Sequence, residues 1–311
     1  MAFGLMRAGL IHNPNSHANR RAGGPPSAAS AAMLFAEPAT PQALAAELNR
    51  FAAAGVDLLV IDGGDGTVRE VLTALPEAFG EHPPQLAVLP SGKTNILALD
   101  LGAKPGWGLE TALANAARPG AEPKIRMPLE VSWNDDCRPP LRGFVFGTGA
   151  FVRATRLSRA VNRMGAFHSA SVALTLAGAV MGTVAGGRRD QWRQGADLTL
   201  DLDGGPRLEG ARFLMMATTL KRLPFGLRPF GPPREEMKVL DVDAPPHRLL
   251  AALPALLAGR DAPWLMQSGY RRSEAEVLNL TLADDVVLDG EIYPGGALTI
   301  RRGPALRFVA P

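Results

Sequence analysis

Cysteine is almost missing from this sequence. Cys137 stands alone among 311 residues, which excludes an internal disulfide and any cysteine-rich zinc or iron–sulfur site and fits a reducing compartment. Lysine is scarce as well, at five of the 33 basic residues, so arginine carries the positive charge. Net charge is only +3, too little to suggest a nucleic-acid protein, which needs clustered phosphate contacts. Met1–Ile11 has no apolar core or small-residue cleavage site of the secretory kind. Long hydrophobic runs are absent but for Ala166–Gly186, which has spanning length; His168, its hydroxyl residues and its many glycines and alanines make it read as a buried helix. The five histidines, His12, His17, His82, His168 and His247, have neither metal-ligand spacing nor a nucleophile-elbow context. What remains is a chain of ordinary globular composition, 46% apolar and 20% charged, of a size for two modest domains.

In the first third, short β-like runs alternate with helical ones, the pattern of a parallel sheet covered by helices. Strands are predicted at Ala8–His12, Asp57–Ile61 and Gln85–Leu89, and helices at Gln42–Ala54, from Gly66 or Thr67 through Leu75, and at Asn95–Leu101. Asn13–Ser30 reads as a loop. The plan is α/β and Rossmann-like. From about Lys124 β-like runs take over, at Met127–Ser132, Gly143–Phe146, Asp197–Leu202, Ala211–Thr218, Glu276–Leu282, Val286–Leu288 and Leu298–Arg301. Turn signals such as Asp203-Gly204-Gly205 separate them, as in an antiparallel meander. The expected division is an α/β nucleotide domain over 1–122 and a β-rich, sandwich-like domain over 123–311, with room for the C-terminal segment to return to the first.

Two glycine loops carry the chemical signal. Gly63-Gly64-Asp65-Gly66-Thr67 follows the apolar run Leu58–Ile61 and precedes a helical run. A strand that ends in glycines and restarts as a helix aims unpaired N–H groups and a positive dipole end at one spot, which suits an anion. Asp65 would repel a bare phosphate, so its presence points to a divalent cation or a substrate hydroxyl. A plain Asp-Gly turn with Thr67 as N-cap is the structural alternative. The second loop, Pro90-Ser91-Gly92-Lys93-Thr94-Asn95, again lies between strand and helix, and two such loops on neighbouring strands would form one cleft. Its Gly-Lys-Thr is not a Walker motif, because Ala87 occupies the position of the required first glycine. Lys93 can still meet a phosphate or simply be solvated.

These residues resemble the diacylglycerol kinase catalytic domain family, which includes bacterial lipid kinases and sphingosine kinases. Gly63 to Thr67 with Val68 and Glu70 is similar to its Gly-Gly-Asp-Gly-Thr signature. Pro90, Gly92, Asn95, Ala98, Leu101 and Gly102 follow its second motif, Asn13-Pro14 its early Asn-Pro, and Asp289-Gly290-Glu291 its late Asp-Gly-Glu. The resemblance implies an ATP- and Mg2+-dependent kinase acting on a hydroxyl of diacylglycerol, a sphingoid base or a related lipid, with ATP between the two domains. It further implies that Asn13, Gly63, Gly64, Asp65, Gly66, Thr67, Glu70, Gly92, Lys93 and Asn95 face the nucleotide. Glu291 would be the base, with Asp65 serving magnesium or competing for that role.

The chain also departs from the family. Lys93 replaces a threonine, Ile96 replaces an aspartate, and the acidic metal loop corresponds to Glu235-Glu236-Met237. An NAD kinase and a non-catalytic lipid- or nucleotide-binding homologue are the alternatives. The expected setting is cytoplasmic, peripheral to the inner face of the membrane, with a lipid partner, no nucleic acid and the option of a homodimer. Arg153, Arg156, Arg159 and Arg163 fall on one helix face, for anionic headgroups or for solvent, beside the apolar Phe167–Val184.

Overall fold

The computed structural model describes residues 6–24, 33–136, 138–163 and 193–311. Cys137, the run Ala166–Gly186 with Phe167–Val184, and His168 lie outside the described residues. Two compact units emerge, Met1–Pro128 with Pro304–Pro311, and Leu129–Gly303. Among the described residues no helix is long and apolar enough to cross a membrane.

The first unit contains β1 (Ala8–His12), α1 (Asn19–Ala22), β2 (Leu34–Ala36), α2 (Pro41–Ala53), β3 (Leu58–Gly63), α3 (Asp65–Phe79), β4 (Gln85–Pro90), α4 (Ile96–Asp100), α5 (Leu109–Ala116) and β5 (Lys124–Arg126). Its sheet runs β2, β1, β3, β4, the chain's last strand Leu306–Phe308, and β5. Only β5 is antiparallel to its neighbour. The continuous apolar run Leu58–Ile61 is fully buried, as a central strand covered on both faces must be. Helix α2 starts where Thr40 accepts a bond from the Ala43 N–H at 3.1 Å and Pro41 fills the first turn. It buries Leu44, Leu48 and Phe51, the spacing of one helical face.

The terminal strand completes this unit's core. Phe308 is fully buried opposite Leu86, and the Val309 N–H donates to Leu86 O at 2.8 Å. Replacing Phe308 with Ala removes a ring from a close-packed interior and is expected to cost about 3–5 kcal/mol. Chemical denaturation of the variant measures that loss. Because β5 pairs with Leu306–Phe308, the first unit reaches Pro128, somewhat beyond the change in composition at Lys124.

The second unit contains β6 (Leu129–Trp133), β7 (Leu141–Gly143), β8 (Val145–Gly149), α6 (Ala150–Arg163), β9 (Ala196–Leu202), β10 (Leu208–Thr218), β11 (Met237–Asp243), α7 (Leu249–Leu257), α8 (Pro263–Gln267), β12 (Tyr270–Ala275), β13 (Val277–Leu282), β14 (Val286–Leu288), β15 (Glu291–Tyr293) and β16 (Gly296–Arg302). Hydrogen bonds join these strands into one antiparallel sheet, ordered β15-β14-β8-β10-β9-β13-β16-β6-β7. The layers expected of a sandwich are continuous through β10, whose eleven residues pair with β9 at one end and with β8 at the other. Along most of its length β10 also carries β11, which in turn carries β12. The sheet curls far enough for Leu129, Phe146, Leu200, Met215, Val239, Leu280 and Ile300 to share one core.

Acids paired with arginines brace this sheet. Arg271 binds Asp241 and Asp243, and Arg212 approaches Asp241 at 3.0 Å. The Arg271 hydrogen bonds hold the Asp243 carboxyl below its ordinary range. A depressed carboxyl pKa stabilises the fold above the unfolded value near 3.8 and loses that contribution as pH falls through the folded value. The midpoint of thermal unfolding should therefore fall more steeply in acid for the wild-type chain than for Asp243→Asn; melts taken between neutrality and pH 3 test the difference.

Candidate functional site

The first unit's site forms at the carboxyl ends of β1, β3 and β4. Strands β3 and β4 are neighbours with Gly63 opposite Pro90, so both glycine loops leave the sheet at one place. They touch backbone to backbone. A Cβ on Gly64 would lie 3.1 Å from the Gly92 Cα, and one on Gly92 would lie 2.5 Å from the Gly64 Cα and 2.9 Å from Asn95 Oδ1. No side chain fits at Gly92 without separating the loops.

Asn95 closes the second loop. It sits in the left-handed region at φ 52° and ψ 47°, which Asn tolerates better than most residues. Its Oδ1 accepts from the Gly92 N–H at 2.7 Å, and its Nδ2 donates to Gly92 O at 2.9 Å and Pro90 O at 3.2 Å. Asp65 joins the loops from the other side, its Oδ1 accepting from the Ile96 N–H at 2.7 Å at the start of α4. Burial raises the Asp65 pKa, opposed by hydrogen bonds from the backbone of Ile96, Asn95 and Leu97. Its carboxylate thus has a mechanical task, capping α4, in addition to any role toward a cation or hydroxyl. Ile96 contributes its backbone N–H to this link.

Asn13 ties in the first strand's loop. Its Nδ2 donates to Thr67 Oγ1 at 2.8 Å, and its N–H donates to Asp62 O at 2.9 Å. In the same loop Ser16 Oγ is buried without a protein partner. Helix α3 runs fifteen residues from Asp65, so its first-turn N–H groups and positive dipole end open at the loops. Glu70 and Lys93 are exposed. A backbone cradle where no Cβ fits, a helix N-terminus and an orphaned buried hydroxyl fit the phosphates of a nucleotide such as ATP.

Glu291 lies in the second unit. Asp289 and Gly290 form a two-residue hairpin turn between β14 and β15, with φ of 47° and 82° as such turns require. Asp289 locks that turn by accepting from the N–H groups of Phe144 and Val145. Glu291 follows, half exposed at 49%, and receives Arg159 Nη2 of α6 at 2.7 Å. The basic face of α6 is engaged within the unit: Arg153 donates to Gly195 O, Arg156 pairs with Asp285, and Arg159 also reaches Gly290 O. These arginines are neither simply solvated nor all free for headgroups.

For Mg2+ the fit is poor. Glu235 is exposed and held by Lys221 at 2.5 Å, next to the partly buried Glu236. Among the described residues no three His, Cys, Asp or Glu side chains are grouped as metal donors. The described residues therefore offer no cage of their own, and a divalent ion held by them would depend largely on phosphate oxygens.

Sequence reasoning missed a buried cluster under the loops. Asp62 Oδ2 lies 2.7 Å from His12 Nδ1, and Asp62 Oδ1 accepts from Ser91 Oγ. The available signal was an aspartate at the end of an otherwise apolar central strand, directly before Gly63.

Residues 7–124 match the family profile described as "Diacylglycerol kinase catalytic domain". The chain has the fold of a crystal structure described as that of a diacylglycerol kinase from Bacillus anthracis str. Sterne. TM-score is 0.64 and identity 14%, with 100% of this chain and 98% of that one covered. A Shigella flexneri protein named "Probable lipid kinase YegS" is 44% identical over 48 residues, which is 15% of this chain and 16% of that protein. The protein of that name from Escherichia coli (strain K12 / DH10B) matches to the same extent. The matched stretch thus spans about a sixth of these curated relatives.

Proposed function

We propose, from the match of residues 7–124 to the diacylglycerol kinase catalytic domain profile, that this chain is an ATP-dependent lipid kinase. It transfers the γ-phosphoryl group to a hydroxyl of diacylglycerol, a sphingoid base or a related lipid. The observation that carries the reading is the backbone contact of Gly64 with Gly92 at the N-terminus of α3. Such a cradle lets main-chain N–H groups meet a polyphosphate at close range. Gly63–Thr67 and Gly92 line it, while Asn13, Asp65 and Asn95 fix its shape through Thr67, Ile96 and Gly92.

Phosphoryl transfer asks little covalent help of a protein. It needs an in-line hydroxyl, neutralised phosphate charge and a proton acceptor. In this reading Glu291 takes the hydroxyl proton as the acceptor oxygen bonds to the γ-phosphorus and the bond to the ADP oxygen breaks. Arg159 orients the Glu291 carboxylate. A divalent ion bound to the ATP phosphates would supply charge neutralisation. Because the acceptors are membrane lipids, the work is done peripherally at a membrane surface.

Incubation with γ-labelled ATP and either mixed micelles of diacylglycerol and sphingosine or NAD tests the reading. Label in an organic-extractable phospholipid supports it. Label only in NADP overturns it in favour of an NAD kinase. ATP binding without any transfer overturns it in favour of a non-catalytic homologue, which the departures at Lys93, Ile96 and Glu235 would then explain.

A further inference from the structure

We propose that Asp62 is a positioning residue that sets the spacing of the two phosphate loops, an inference that rests on the nucleotide reading above. Asp62 is the penultimate residue of β3, 2% exposed, and both its carboxylate oxygens and its carbonyl are committed to neighbouring segments. Oδ2 accepts from Nδ1 of His12, the last residue of β1 and 1% exposed. Oδ1 accepts from Oγ of Ser91, the first residue beyond β4 and also buried. Its carbonyl accepts from the N–H of Asn13. One carboxylate therefore clamps the exits of three parallel strands, directly behind Gly63 and Gly64.

The clamp extends outward on both sides. Ser91 donates its N–H to Gly63 O at 3.3 Å and accepts at its own carbonyl from the Ala18 N–H at 2.9 Å. Ser91 thus binds the first glycine loop with its main chain and Asp62 with its side chain, and Gly92 is the next residue. On the other flank the His12 ring packs against Phe35 at 6.1 Å, and its Nε2 lies 3.8 Å from Glu37.

A buried carboxylate is costly unless its oxygens are hydrogen-bonded, and once bonded it is stiff and directional. Apolar residues in the same place would fill the volume but leave the loops free to slide. The arrangement is not that of a hydrolase triad: Ser91 and His12 both bind the same carboxylate, so the imidazole does not activate the hydroxyl. Its output is mechanical, the loop separation at which Gly64 meets Gly92.

The test is equilibrium titration of the full-length chain with ATP and with AMP, since loop spacing bears on the outer phosphates and AMP lacks them. Asp62→Asn should weaken ATP by about tenfold or more while leaving AMP within about twofold, so that the preference for ATP collapses. Ser91→Ala should lose about fivefold for ATP, and Ser91→Thr, which keeps the hydroxyl, should stay near wild type. The serine pair decides the matter if Asp62→Asn does not fold. A folded Asp62→Asn with wild-type ATP affinity, or equal affinity of Ser91→Ala and Ser91→Thr for ATP, overturns the proposal alone. Failure of the wild-type chain to bind ATP overturns the nucleotide reading beneath it.

Discussion

Gly92→Ala should reduce ATP-dependent phosphorylation by about a hundredfold or more, because misplacing a phosphate-binding loop by an ångström has consequences of that order. The added methyl would stand 2.5 Å from the Gly64 Cα and 2.9 Å from Asn95 Oδ1. Both neighbours are constrained: Gly64 leads into the first turn of α3, and Asn95 is bonded to three main-chain groups. Relief comes by moving one loop away from the other. Overpacking of this kind costs about 1–3 kcal/mol of stability, so the variant should still fold. Steady-state kinetics beside a thermal melt separate the two effects. Gly108→Ala is the control, since Gly108 lies outside both loops, at the start of α5, and a methyl there meets nothing within 4 Å. Equal losses at Gly108 and Gly92 would deny the close approach its importance.

Replacing Glu291 by Gln should lower kcat by about a thousandfold with the KM for ATP unchanged, the magnitude general-base catalysis usually contributes. The residue sits in the second unit, on a hairpin whose turn is fastened by Asp289 to Phe144 and Val145. The amide keeps the shape and can still accept from Arg159, but it cannot take a proton from the acceptor hydroxyl. Loss of activity caused by a displaced hairpin would lower the melting temperature and alter lipid KM together. Loss of the base leaves both in place. Wild-type turnover in Glu291→Gln would transfer the base role elsewhere, and Asp65 is then the carboxylate to examine.

Much of the first unit was legible because its local signals agree. Leu58–Ile61 is continuously apolar and buried, Pro41 and Thr40 start α2 where a helix start is expected, and both glycine loops leave adjacent strands. The segments that escaped notice are short or depend on partners remote in sequence. Leu34–Ala36 and Leu306–Phe308 are three-residue strands, and Tyr270–Ala275 carries Arg271 and Arg272, whose partners are acids and carbonyls in distant strands and loops. The arginines of α6 had the periodicity of a surface face, yet Arg156 and Arg159 found carboxylates more than a hundred residues away. No window of sequence contains both halves of such a pair.

At the site, residue types were readable and their mutual bonds were not. Asp65 looked like a group for a cation or hydroxyl, and its bond to the Ile96 N–H exists only because two loops meet. His12 and Ser91 drew no chemistry in isolation. Their meaning comes from Asp62, which the β1–β3 register places opposite His12.

The central claim is that the paired glycine loops of the first unit grip a polyphosphate. Calorimetric titration of the wild-type chain with ATP, ADP and AMP tests it most directly. Affinity that rises with phosphate number, and that Gly92→Ala flattens to the AMP level, is the predicted result. Equal affinity for all three nucleotides, or affinity that Gly92→Ala leaves intact, would contradict it.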